Sequence, residues 1–160
     1  MSALGLPPAV AENLPALQVV VPLTAAALCA LLRNRTLVWG WATLVAWSVL
    51  GIAILLLRQV LAGGEISYAM GGWEPPWGIE YRVDVVSAFV LLLVSIIGAV
   101  VTTYARRSVE REVEGSRIPL FYAAFLLCLT GLLGITITGD VFNLFVFLEV
   151  SSLSTYTLVA

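Results

Sequence analysis

Long apolar segments separated by short polar connections dominate the sequence from residue 14 onwards. Five of them have about the 20 residues that a helix needs to cross the ~30 Å hydrocarbon layer of a bilayer. They cover approximately residues 14–32, 37–57, 85–104, 118–138 and 140–160. The pattern predicts an all-α integral membrane protein with five transmembrane helices. Because no linker long enough to separate domains interrupts residues 1–160, we expect a single transmembrane module.

The longest polar interruption, residues 58–84, is predicted to be an extramembrane loop. Within it, residues 66–70 and 79–83 flank the sequence GGWEPPWG. Gly-Gly and Pro-Pro are strong turn signals, so we expect a small hairpin-like structure. Trp73 and Trp77 are expected to rest at the level of the lipid headgroups, where amphipathic aromatic rings are enriched.

Two aspartates stand at expected helix starts. Asp84 and Asp140 each precede an apolar run, where a carboxylate can accept hydrogen bonds from the free amide groups of the first turn. The link formed by Gly139 and Asp140 is so short that the last two spans must form an antiparallel hairpin. If the chain folds back between these two residues, Thr130 lies level with Glu149.

Glu149 is the most informative residue of the sequence. It lies nine residues beyond Asp140, about 13–14 Å into the membrane and close to its midplane. An ionisable group there costs at least a few kcal/mol and is usually functional. Helical spacing places Phe145, Glu149, Ser152 and Tyr156 on one face. Such a face suits a proton path, and it equally suits interhelical hydrogen bonding.

Composition supports the membrane assignment and excludes several functions. The chain is 61% hydrophobic and 11% charged, and its mean hydropathy is +1.02. It has no histidine, and Cys29 and Cys128 both lie within apolar runs, so we expect no metal site, cofactor or disulfide. A net charge of −2 without a basic cluster gives no reason to expect nucleic-acid binding.

All eight basic residues are arginines, and their distribution predicts the topology. Six lie in the connections after the first and third spans: Arg33, Arg35, Arg106, Arg107, Arg111 and Arg117. The positive-inside rule therefore places the N-terminus outside and the C-terminus in the cytoplasm. Because the chain has no lysine and its arginines lie in or beside loops, Glu149 lacks an intramembrane cation within this sequence.

Two segments resemble a known family. GGWEPPWGIEYRVDVVSAFVLLL (residues 71–93) and TGDVFNLFVFLEVSSLSTYTLVA (residues 138–160) are similar to the D-type subunit of the multisubunit Mrp cation/proton antiporters. They resemble more broadly the antiporter-like, proton-pumping subunits of respiratory complex I and of membrane-bound hydrogenases. Members of this family are longer and contain two inverted repeats of five helices with broken helices. The resemblance implies that this chain corresponds to the N-terminal portion of such a subunit.

The resemblance also implies a role for Glu149. The family carries on its fifth transmembrane helix a glutamate that serves in proton transfer, and Glu149 occupies that place in the motif. In the family this glutamate is paired with a lysine on a later helix, which is expected to lie outside these 160 residues.

The leading prediction is the proton-translocating portion of a D-type subunit of a cation (Na⁺)/proton antiporter, a secondary transporter of the cell membrane. Glu149 would carry the proton, Asp140 would lie near its outer entrance, and Thr130, Ser152 and Tyr156 would support it. The expected partners are other membrane subunits, protons, a monovalent cation and the bilayer. One alternative is the same module pumping protons in a redox-driven complex. Another is a scaffold that only holds neighbouring subunits together.

Overall fold

Six α-helices and a two-stranded hairpin make up the computed structural model of the chain, which describes residues 7–73 and 77–159. The helices are α1 (Pro8–Glu12), α2 (Leu14–Leu31), α3 (Arg35–Gly63), α4 (Val85–Glu112), α5 (Ile118–Ile137) and α6 (Val141–Val159). The strands are β1 (Ile66–Ala69) and β2 (Glu80–Val83). The Pro-Pro turn predicted at residues 75–76 and the predicted end of the last span at residue 160 lie outside the described residues.

Helices α2 to α6 are each long and apolar enough to cross a membrane, which confirms the all-α, five-span fold. Two of them are longer than the predicted spans. Helices α3 and α4 have 29 and 28 residues, so at ~1.5 Å per residue both exceed a hydrocarbon layer ~30 Å thick. Helix α4 continues into the charged connection as far as Glu112, and within this extension Arg106 pairs with Glu110 one turn away at 3.2 Å.

Helix α5 lies at the centre of the bundle and packs against α2, α3, α4 and α6. Of the residues in its most apolar stretch, 56% are buried, compared with 17% for α6. Helix α6 packs mainly on α5. Most of its surface is therefore left uncovered by the described part of the chain.

Two tryptophans near the start of α3 hold helices together. The indole N–H of Trp39, on α3, donates to the backbone carbonyl of Thr102 on α4 at 3.0 Å. The indole N–H of Trp41 donates to the carbonyl of Ala25 on α2 at 3.4 Å. Both side chains are half-buried, which matches an aromatic ring that is apolar on its faces and polar at one edge.

The predicted hairpin between α3 and α4 is confirmed. Strands β1 and β2 pair antiparallel in the register Ile66↔Val83, Ser67↔Arg82, Tyr68↔Tyr81 and Ala69↔Glu80. The chain leaves β1 through Gly71 and Gly72, whose φ angles of 70° and 77° suit glycine. Tyr81 and Val83 are buried, because β2 lies against the ends of α2, α4 and α5.

Helices α5 and α6 approach so closely that two positions of α5 have no room for a side chain. A Cβ atom at Gly131 would lie 2.8 Å from the backbone nitrogen and 2.7 Å from the Cβ atom of Ser151. A Cβ atom at Gly134 would overlap the ring of Phe147. Small residues of this kind let membrane helices pack by direct backbone contact.

The close approach predicts a sharp difference between two Gly→Ala substitutions. Gly131→Ala should destabilise the protein by about 1–3 kcal/mol, because the new methyl group meets the backbone of α6. Gly51→Ala is the matched control, since a Cβ atom there meets nothing within 4 Å. The control should be neutral or stabilising by about 0.5–1 kcal/mol, from helix propensity alone. Thermal unfolding in membranes measures both, and equal effects would contradict the packing.

Candidate functional site

The connection between α5 and α6 is held by the backbone of the hairpin. The N–H of Gly139 donates to the carbonyl of Glu80 at 2.9 Å, and Thr138 pairs with Tyr81 as an isolated β-bridge. The turn therefore extends the sheet by one short pairing. This contact fixes the start of α6, the helix that carries Glu149.

Asp140 caps α6 as predicted. Its carboxylate oxygens accept hydrogen bonds from the backbone N–H groups of Phe142 at 3.3 Å and Asn143 at 3.1 Å. The side-chain amide of Asn143 donates to the hydroxyl of Thr138 at 3.1 Å, and Asn143 is buried. Asn143 was not predicted from the sequence. The sequence feature that could have indicated it is an amide side chain inside an apolar run, three residues after the predicted cap Asp140.

Tyr81, which was likewise not predicted from the sequence, links the hairpin to α6. Its ring lies 6.4 Å from that of Phe147 and 6.5 Å from that of Tyr68, measured between centroids. It is only 3% exposed, and this burial raises the pKa of its phenol. The phenol therefore stays neutral where the hairpin adjoins the start of α6.

The packing on α5 determines which way Glu149 faces. The buried residues of α6 are Asn143, Phe147 and Ser154. Glu149 lies on the opposite side and is exposed, as are the other members of its predicted stripe, Phe145, Ser152 and Tyr156. The three ion pairs among residues 7–73 and 77–159 do not include Glu149. Its carboxylate is about 12 Å from the first residue of α6 along the helix axis.

Thr130 is placed differently from its predicted supporting partners. It is buried, and its hydroxyl donates to the carbonyl of Leu126 in its own helix at 2.7 Å. The contacts between the helices, Gly131 against Ser151 and Cys128 against Thr155, run in antiparallel register. This register puts Thr130 level with Ser152, about one turn from the level of Glu149 that was expected from the sequence.

At the far end of the stripe, Tyr156 lines a cavity whose wall is mostly apolar but includes ionisable side chains. This cavity, of about 880 Å³, lies between the C-terminal end of α6 and the start of α5. Glu112, Glu114 and Arg117 line it together with Tyr156. The exposed stripe of α6 therefore runs from the region of Glu149 to a cavity that contains ionisable groups.

The end of the bundle that carries the hairpin is also rich in ionisable groups. Arg82 pairs with Glu65 across the hairpin, and this guanidinium holds the pKa of the Glu65 carboxyl below its usual value. The hydroxyl and backbone N–H of Ser87 both donate to Asp84, the predicted cap of α4, and lower its pKa. Asp84 is thus kept charged by local hydrogen bonds. Within the described ranges, no three His, Cys, Asp or Glu side chains come together as metal ligands.

Comparison with known proteins gives a consistent set of relatives, although no family model matches the sequence. The N-type subunit of the NADH-quinone oxidoreductase of Desulforudis audaxviator is 40% identical over 155 residues, covering 92% of this chain and 30% of that subunit. The D-type subunit of the Na⁺/H⁺ antiporter of Bacillus subtilis is 33% identical over 151 residues, again covering 92% of this chain and 30% of the relative.

The fold has a counterpart among solved structures. A chain of the Mrp complex of Dietzia sp. DQ12-45-1b superimposes with a TM-score of 0.81 at 29% identity. The match covers 93% of the present chain and 27% of that chain. The present chain spans about 30% of the length of the curated relatives described above.

The role of Asp140 can be tested by two substitutions that separate capping from charge. Asp140→Ala removes both acceptor oxygens and should destabilise α6 by about 1 kcal/mol. Asp140→Asn retains an oxygen that accepts from the same amide groups and should leave the helix start intact. Hydrogen exchange at Phe142 and Asn143 measures the difference. Equal protection of both amides in the alanine variant and the unsubstituted protein would contradict the capping role.

Proposed function

The chain belongs to the family of antiporter-like membrane subunits that includes the D-type subunits of Na⁺/H⁺ antiporters and the N-type subunit of the NADH-quinone oxidoreductase, and from this membership we propose that it is the proton-translocating, N-terminal portion of a D-type antiporter subunit. In this proposal the chain is a multi-pass component of a multisubunit complex in the cell membrane. It acts on protons and a monovalent cation. The observation that carries the proposal is a single carboxylate, Glu149, in the middle of a spanning helix.

The open face of α6 supports an ion-transfer role. A carboxylate near the bilayer midplane costs about 2.5–3.5 kcal/mol or more unless a partner or water stabilises it. The described helices supply neither a cation nor a covering surface for Glu149. A partner on later helices of the same subunit, or on a neighbouring subunit, would complete the site. The family resemblance implies that this partner is a lysine.

The proposed proton route follows the exposed stripe. Ser152 and Tyr156 lie about 4.5 Å and 10.5 Å from Glu149 along the helix axis, which is too far for direct transfer and short enough for bridging water. Tyr156 adjoins the cavity lined by Glu112 and Glu114. Asp140 lies at the other end of the helix, where it is proposed to border the outer entrance. Thr130, turned into the bundle, is proposed to act only through packing.

The proposed orientation places the N-terminus outside and the C-terminus in the cytoplasm. The two arginine-rich connections lie at the same end of the bundle, since the guanidinium of Arg106 donates to the hydroxyl of Thr36 at 3.5 Å. The hairpin and Asp140 lie together at the other end. This separation supports the positive-inside assignment, in which the arginine-rich end faces the cytoplasm.

A second candidate function is a proton pump in a redox-driven complex. The 40% identity with the N-type subunit of the oxidoreductase favours it. Both candidates assign the same role to Glu149, and they differ in what drives the proton. Proton flux that responds to an added cation without an electron donor would support the antiporter, and flux that requires an electron donor would support the redox-driven complex.

The proton-carrier role predicts a definite ranking of two substitutions in the assembled complex. Glu149→Gln keeps the volume and hydrogen-bonding capacity but removes the titratable group, so transport should be lost. Glu149→Asp keeps the titratable group and shortens its reach by one methylene, so partial transport should remain. Cation-dependent proton flux in membrane vesicles, with subunit levels checked alongside, measures both. Glu12→Gln, at an exposed carboxylate on α1, is the matched control and should transport normally.

A scaffold predicts the reverse ranking. A neutral amide avoids the cost of a buried charge and still forms hydrogen bonds with its neighbours. The glutamine variant would then be harmless and the aspartate variant the worse of the two. Flux at the unsubstituted level from Glu149→Gln would end the proton-carrier proposal.

The orientation predicts which cysteine substitutions can be labelled from outside. In a background without Cys29 and Cys128, Ser67→Cys on the hairpin should react with an impermeant thiol reagent in intact cells. Ser108→Cys should react only after the membrane is permeabilised, which also controls for its accessibility. Both native serines are exposed. Efficient labelling at Ser108→Cys together with none at Ser67→Cys in intact cells would reverse the topology.

A further inference from the structure

A cleft at the arginine-rich end of the bundle shares Glu112 with the cavity at the end of the proposed proton route, but its arginines have no part in that route. It lies between the start of α3 and the end of α4 and has a volume of about 590 Å³. Its main lining residues are three arginines, two aromatic residues and one carboxylate: Arg106, Arg107, Arg111, Trp39, Tyr104 and Glu112. We call it the arginine cleft.

One of the three arginines, Arg106, is fixed in position by contacts with neighbouring side chains. Arg106 lies with its guanidinium carbon 4.6 Å from the ring centroid of Trp39, a cation–π contact. It also pairs with Glu110 at 3.2 Å and donates to Thr36 at 3.5 Å. Its position is therefore fixed by three contacts within the protein, and its charge is largely compensated.

The other two arginines have no such compensation. Arg107 and Arg111 are exposed and lie one turn apart on α4, where like charges repel each other. The ion pairs among the described residues involve Arg82, Arg106 and Arg117, and neither Arg107 nor Arg111 takes part in one. Two uncompensated guanidinium groups at this spacing form a site for an anion between them, since each can donate two parallel hydrogen bonds to a phosphate.

The neighbouring cavity at the same end of the bundle shows that the excess of positive charge is confined to the arginine cleft. That cavity is lined by two carboxylates, Glu112 and Glu114, and by Arg117, which pairs with Glu114 at 3.7 Å. Negative groups outnumber positive ones there. The arginine cleft has three arginines and one carboxylate, so an anion is favoured in it and not in its larger neighbour.

The cleft also continues into an apolar surface at the depth of the membrane. Tyr104 is 83% exposed beside the arginines, and the exposed residues Leu44, Trp47 and Val100 follow towards the middle of the bundle. The indole N–H of Trp47 donates to the hydroxyl of Thr103, a cleft-lining residue, at 3.1 Å. Aromatic residues followed by apolar residues are typical of the transition from headgroups to acyl chains.

We propose that the arginine cleft binds the phosphate of an anionic phospholipid, with Arg107 and Arg111 on the headgroup and an acyl chain along Leu44, Trp47 and Val100. Basic pockets between transmembrane helices are suited to such headgroups. A zwitterionic lipid carries a compensating ammonium group and gains less from two uncompensated arginines. The arginine cleft does not include Glu149, so the lipid-binding proposal can be tested independently of the proton-carrier function.

The test uses membrane vesicles that contain the assembled protein. Phosphatidylglycerol and phosphatidylcholine probes, with identical acyl chains and a photoreactive group near the glycerol, are cross-linked and mapped to the protein by mass spectrometry. The double variant Arg107→Gln/Arg111→Gln removes the two free charges. The matched control, Arg33→Gln/Arg117→Gln, removes two exposed arginines from the same end of the bundle but outside the cleft.

The unsubstituted protein should be labelled at α4 around Tyr104 by the anionic probe in preference to the zwitterionic probe. This preference should fall about twenty-five-fold in Arg107→Gln/Arg111→Gln, because each arginine near an anionic headgroup contributes about a factor of five. The preference should change less than about twofold in Arg33→Gln/Arg117→Gln, because any loss of preference in this control reflects only long-range electrostatic attraction. Equal losses in both double variants, or no preference in the unsubstituted protein, would overturn the proposal. So would displacement of the anionic probe by inorganic phosphate, or cross-links joining the cleft to an acidic segment of another subunit.

Discussion

The direct packing of α6 on α5 at Gly131 and Gly134 is the constraint on which the candidate site depends. Because glycine has no Cβ atom, the backbone of α6 and the ring of Phe147 can occupy the space that a side chain would fill at these two positions. This contact sets the rotation of α6 about its own axis. Glu149, two residues after Phe147 and half a turn away around the helix, is therefore directed away from α5. One larger residue at either glycine would have to move α6 and change where the carboxylate points.

The hairpin supplies the second constraint on α6. Backbone pairing at Gly139 and Thr138 fixes the point where the helix begins, and Tyr81 packs on Phe147, two residues before Glu149. The start of α6 and its rotation are therefore set by two separate contacts. The hairpin thus helps to position a carboxylate about 12 Å away along the helix. Changes in the hairpin are expected to reach the site through Tyr81.

The two ends of the bundle have different electrostatic character, and both proposals follow from this difference. The hairpin end places Glu65, Asp84 and Asp140 near helix ends, where local hydrogen bonds or the paired Arg82 stabilise negative charge. The other end places arginines beside aromatic residues at the lipid boundary. The proposed proton transfer uses the path between the ends, and the proposed lipid binding uses the surface of one end. The two proposals therefore rest on different key side chains, Glu149 for proton transfer and Arg107 with Arg111 for lipid binding.

Much of the architecture was determined by the sequence alone. Apolar runs of sufficient length predicted all five spans, glycine and proline signals predicted the hairpin, and Asp84 and Asp140 were found to be caps as predicted. These features are local, since each depends on the composition of one segment or on hydrogen bonds within a few residues. The extension of α4 to Glu112 was missed, because a charged segment that continues a helix is no longer apolar.

Only the tertiary structure decided which faces meet. In water, a polar stripe marks the exposed side of a helix, whereas a membrane helix is apolar on nearly every side and its sequence carries little sign of the buried face. The position of Glu149 along its helix and its stripe with Ser152 were therefore predictable, but the direction in which this stripe faces and the level of Thr130 were not. The contacts of Tyr81 and of the arginine cleft join segments far apart in the chain. Packing between helices, which no single segment encodes, brings them together.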